Sequence, residues 1–67
     1  MLENYLKEHG ISRVEFGRDV GVTGQAVSRW IAEVAIPRPE TQLLISELTE
    51  DEIPLKYWAG IARDRAV

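Results

Sequence analysis

The chain has 67 residues, 45% of them hydrophobic and 28% charged, with a net charge of −3 and no cysteine. That length allows one domain with one small core, and no run approaches the roughly 18 to 20 consecutive apolar residues of a spanning helix. Without cysteine there is neither a disulfide framework nor a thiolate metal site, and "MLENYLKEHG" has no apolar segment of the signal-peptide kind, so a cytoplasmic protein is expected.

"LENYLKEH" reads as a first helix, with Leu2, Tyr5, Leu6 and His9 near helical spacing and Gly10 where a left-handed terminal residue belongs. In "ISRVE", Ser12 and Glu15 have the spacing of a capping box, and Ile11 and Phe16 that of a hydrophobic staple. The second helix should run to about Val20 and stop at Gly21. Two turns cannot be stable alone, so it must pack on a neighbour. Thr23 is the next N-cap, after a three-residue turn, "GVT". From there "GQAVSRWIAEV" places Val27, Trp30, Ile31 and Val34 on one buried stripe and Gln25, Ser28 and Arg29 on the opposite face. "IPRP" should end that helix.

"PETQLLISEL" restarts with Pro39 at the first helical position and Glu40 in the first turn. Its Leu43, Leu44 and Leu48, with Ile45 beside them, point to one buried side. "TEDEIP" reads as a solvated acidic connector, and "LKYWAGIARDRA", about 55–66, as a weaker helix interrupted by Gly60. The expectation is an all-α chain of four or five short helices forming one compact bundle over residues 1–67.

Charge is unevenly spread. Between His9 and Arg38, Arg13, Arg18, Arg29 and Arg38 outnumber Glu15, Asp19 and Glu33. From Pro39 onward, Glu40, Glu47, Glu50, Asp51, Glu52 and Asp64 outweigh Lys56, Arg63 and Arg65. The acid belongs to the C-terminal half, so the middle of the chain can face a polyanion.

Over about 13–32 the chain resembles the helix-turn-helix of the Cro and phage-repressor families. The likeness lies in Gly17, four residues before the turn glycine, in Val20, Gly21 and Val22 around the turn, and in Val27 and Trp30 as inward positions. "VSRW", then "IP" and a leucine-rich helix, is similar to short Cro-type phage proteins and small antitoxin-like regulators. The resemblance implies a λ-repressor-like fold whose second helix enters a major groove. Gly17 has a physical reason in the close approach of two crossing helices, since it costs about 1 kcal/mol of helix stability relative to alanine.

Gln25 has the chemistry to bond adenine N6 and N7, Arg29 to fork onto guanine O6 and N7, and Ser28 to serve a base edge or a phosphate. Thr23 and Gly24, at a helix start with free N–H groups, suit a phosphate, and Arg13 and Arg38 are candidate backbone clamps. Gly24 departs from the resemblance, because related proteins often present a longer polar side chain there. Tyr57 and Trp58 either close the core or lie at a dimer contact. His9 has no ligand set around it in the sequence, and no nucleophile–base pair, phosphate loop or metal spacing is present, so no enzyme, metal, cofactor or small-molecule ligand is expected.

The function expected is a sequence-specific transcriptional regulator, a Cro-like repressor of phage or prophage type. One module makes few phosphate contacts, so a homodimer on a pseudo-palindromic double-stranded operator is expected. The rival reading is an antitoxin-like or phage early protein that acts through protein–protein contacts.

Overall fold

The computed structural model describes residues 1–65 and is all-α, with no strand among them. The chain divides into two compact units, Met1–Ala35 and a second beginning at Ile36.

The first unit holds α1 (Leu2–His9), α2 (Arg13–Val20) and α3 (Gly24–Ile31). α2 packs on α3, and α1 also meets α3. Leu2 and Leu6 of α1, Phe16, Gly17 and Val20 of α2, and Val27 and Trp30 of α3 are buried. Each large apolar side chain so placed contributes about 1.5 to 3 kcal/mol. The Tyr5 ring stands edge-on to Phe16 at a centroid distance of 6.3 Å, a favoured aromatic geometry. The capping box is formed: Glu15 N–H donates to Ser12 Oγ at 3.0 Å, and Ser12 N–H donates to Glu15 Oε1 at 2.9 Å.

The second unit holds α4 (Pro39–Leu48) and α5 (Leu55–Arg65), which pack on each other. Pro39 opens α4 as its spacing indicated. The Gln42 side-chain amide donates to the Pro37 carbonyl at 2.8 Å and fixes the entry to the helix. At the other end Thr49 is 1% exposed. Its hydroxyl donates to the Ile45 carbonyl at 2.7 Å and accepts from Ile53 N–H at 3.2 Å. The "TEDE" connector is thus tied down through its first residue.

Helices α1 to α4 end alike. In each, one N–H reaches back three residues and the next reaches back five: Gly10 to Lys7 and Ile11 to Leu6, Gly21 to Arg18 and Val22 to Gly17, Glu33 to Trp30 and Val34 to Arg29, Glu50 to Glu47 and Asp51 to Ser46. This is the Schellman pattern, which needs a left-handed residue at the turn. Gly10 and Gly21 supply it at φ 63° and 82°, whereas Glu33 and Glu50 adopt φ 61° and 53° against their stereochemical preference.

Three expectations are corrected by these elements. α3 stops at Ile31 rather than running to the prolines, because Glu33 turns the chain first, and Val34 lies outside the helix and is exposed. On α4 the face of Leu43, Leu44 and Leu48 is exposed, while Ile45, Ser46 and Thr49 are buried. Gly60 does not interrupt α5, which runs straight through it; one glycine costs a helix only about 1 kcal/mol, less than its packing supplies. The expected end of that helix at Ala66 lies outside the described residues.

Candidate nucleic-acid interface

The turn between α2 and α3 is held from both sides. Gly21 closes α2 in the left-handed region, and Val22 N–H donates to the Gly17 carbonyl at 2.7 Å. Thr23 then caps α3, its hydroxyl accepting from Ala26 N–H at 3.2 Å. Gly17 lies directly beneath this turn. A Cβ on it would stand 2.7 Å from the Val22 carbonyl oxygen and 3.0 Å from the Thr23 carbonyl group. The glycine anticipated from close helix crossing is therefore required by backbone, not by a movable side chain.

With Val27 and Trp30 anchored inward, α3 leaves Gln25 and Arg29 exposed and Ser28 half-buried. These three share one side of the helix, because residues three and four apart are neighbours on its surface. Together with Thr23, Trp30 and Ala35 they border a concavity of about 590 Å³. Its lining offers an amide, a guanidinium and two hydroxyls, the donor and acceptor types that read base edges and phosphates. Trp30 contributes to that wall while remaining 5% exposed, so it acts as an anchor.

Arg13, in the first turn of α2, bends toward α3. Its Nη1 donates to Ser28 Oγ at 2.9 Å, and its Nη2 lies 3.8 Å from the Glu3 carboxylate. The guanidinium is half exposed, so the ion pair with Glu3 is worth little by itself. The bond to Ser28 occupies one acceptor position of the hydroxyl, which keeps its O–H donor and a second lone pair. Two expected site residues, Arg13 and Ser28, are thereby joined across fifteen positions of sequence. Glu3 carries no signal of this role in the sequence, because no local pattern connects it to Arg13.

The carboxyl of Glu15 lies below its ordinary value of 4.5, chiefly because the Ser12 backbone N–H and then the Ser12 hydroxyl favour its charged form, with help from Arg18. At neutral pH this fixed negative charge secures the start of α2. Gly24 is half-buried against α2: a Cβ there would meet Val14 Cγ2 at 3.0 Å. A side chain at this position would need Val14 to give way by a few tenths of an ångström.

The remaining expected residues lie in the second unit. Arg38 is exposed and takes the N-cap position of α4. Tyr57 is half-buried, but Trp58 is fully buried, so of that pair only Tyr57 keeps surface for a partner.

Two helices joined by a glycine turn, the second capped and presenting a polar face, define a helix-turn-helix domain. The chain belongs to the Cro/phage-repressor-type helix-turn-helix family, whose model, described as Helix-turn-helix, matches residues 2–50. It is accordingly a DNA-binding transcriptional regulator, of a family whose members are regulators and not enzymes. Searches of curated proteins and of solved structures returned no match to this chain. No helix among the described residues is long and apolar enough to cross a membrane.

Proposed function

We propose that this regulator is a Cro-like repressor of phage or prophage type, acting in the cytoplasm by occupying an operator. The observation that carries the reading is the division of α3: Val27 and Trp30 are buried while Gln25 and Arg29 stand exposed on the concave face. Gln25 would pair with adenine and Arg29 with guanine, each bidentate contact contributing about 1 to 3 kcal/mol of discrimination. Ser28, whose hydroxyl accepts from Arg13, would donate to a base acceptor or a phosphate. Thr23, Gly24 and Arg13 would hold the sugar–phosphate backbone beside α3, and Arg38 is the further cation assigned to it.

A chain of net charge −3 gains little from non-specific attraction, so two copies on a pseudo-palindromic site are part of the proposal. Tyr57 and the exposed Leu43, Leu44 and Leu48 of α4 are the surface assigned to the second copy. Those same leucines favour the second reading, an antitoxin-like protein that binds another protein. The two readings differ in what DNA does. Salt-titrated binding to fragments of the surrounding genome should give one preferred fragment, with half-sites about one helical turn apart. Arg29→Ala and Gln25→Ala should each weaken that preference by roughly thirtyfold per half-site, the middle of the range for one bidentate contact. Unselective binding, unchanged by either substitution, refutes the readout. No DNA affinity at moderate salt together with a co-purifying protein supports the second reading.

A further inference from the structure

Gly24 leaves the first turn of α3 without a side chain, and that same lack lets α2 approach. A Cβ built on Gly24 would lie 3.0 Å from Val14 Cγ2 and 3.4 Å from the Val14 Cα and backbone nitrogen. Val14 therefore stands on the ground that a side chain of residue 24 would use. It is also 58% exposed, so the helix packing leaves most of it in water. Its neighbour Arg13 reaches Ser28 at 2.9 Å. The first turn of α2 thus meets α3 at two points, beside its first residue and beside its exposed face.

We propose that Val14 contacts bases, packing against the C5-methyl group of a thymine from the place where a reading side chain of residue 24 would sit. The inference rests on α3 entering the major groove as set out above. There the N-terminal residues of the second helix meet base edges while the first helix crosses the backbone, and of α2 it is Val14 whose atoms come nearest the Gly24 position at that N-terminus. A valine cannot exchange hydrogen bonds with a base, so it can recognise only an apolar group. The major groove displays one such group, the thymine methyl. The contact gives the site a preference that Gln25 and Arg29 cannot supply, and it accounts for a valine left 58% exposed beside the start of α3.

The test begins by selecting sites for the full chain from random duplex DNA. Each thymine of the recovered site is then replaced by deoxyuridine, which removes only the methyl group. A replacement in one half-site should weaken binding by about fourfold, the effect of losing one buried methyl, and replacement in both by about sixteenfold, and Val14→Ala should bind all the duplexes alike. Val14→Thr, close in shape and retaining a methyl, should keep part of the preference; unfolding curves check that both variants fold. If no replacement weakens binding, or Val14→Ala keeps the full preference, Val14 does not read thymine. If no site is recovered, or the recovered site is indifferent to Arg29→Ala, the groove-reading proposal fails first and the role of Val14 falls with it.

Discussion

Replacing Gly17 by alanine sets two opposed effects against each other. In an open helix interior, alanine is favoured over glycine by about 1 kcal/mol. Here the added carbon would stand 2.7 Å from the Val22 carbonyl oxygen and 3.0 Å from the Thr23 carbonyl carbon and oxygen. Those atoms are backbone, tied by the 2.7 Å bond from Val22 N–H to the Gly17 carbonyl and by the cap at Thr23. The turn has to shift by several tenths of an ångström, and forcing a methyl into such packing typically costs about 1 to 3 kcal/mol. The propensity gain offsets only part of this, leaving a net loss on the order of 1 kcal/mol. For a domain of this size that lowers the melting temperature by about 4 to 8 °C. Gly60 is the internal control, because a Cβ there would meet nothing within 4 Å. Gly60→Ala should raise the melting temperature where Gly17→Ala lowers it, both read by circular dichroism on the full chain. If Gly17→Ala proved as stable as the parent while Gly60→Ala gained, close approach of the turn would not be the reason for glycine.

Thr49→Val keeps the shape of the side chain but leaves the Ile53 N–H without its acceptor. Chemical denaturation should show a loss of about 1 to 3 kcal/mol, the usual cost of a buried unsatisfied group; no loss would mean that the connector finds another partner. Glu15 titrates below its ordinary 4.5 in the folded chain, so its contribution is complete above that value and is lost as pH falls through the lower folded one. Glu15→Gln should flatten this part of the acid unfolding profile, and an unaltered profile would remove the capping box from the pH response. Glu33→Gly should relieve the left-handed strain at φ 61° and stabilise by about 0.5 to 1 kcal/mol in thermal melts. A loss instead would show that the Glu33 side chain makes a contact of its own.

The parts of the fold that were legible in the sequence are those decided within five residues. Ser12 with Glu15, Thr23 alone, and the glycines at 10 and 21 each announce a cap through their own chemistry, and the structure has all four. The same mechanism at Glu33 and Glu50 left no signal, since glutamate in the left-handed region has no signature. That is why α3 was expected to be longer. The leucines of α4 misled for a different reason. A helical stripe says which residues share a side, not which side the rest of the protein covers, and three leucines outweighed Ile45 beside them. At the interface the split of α3 could be read from periodicity, because it needs only that one helix. The joining of Arg13 to Ser28 and the nearness of Val14 to Gly24 belong to the crossing of two helices, which spacing along the chain does not encode.

The early stop at Glu33 limits how much information α3 can carry. Eight residues make a rod about 12 Å long, which lies along no more than about four base pairs at 3.4 Å each. Four fully read pairs recur by chance about once in 256 positions, far too often among the ~10⁶ or more sites of a genome. A second copy squares that figure to about one in 65,000, and each thymine preference, phosphate spacing and bendable step multiplies it further. On the proposed two-copy operator, a reading head this short would be a four-letter word that acquires an address by being spoken twice at a fixed interval.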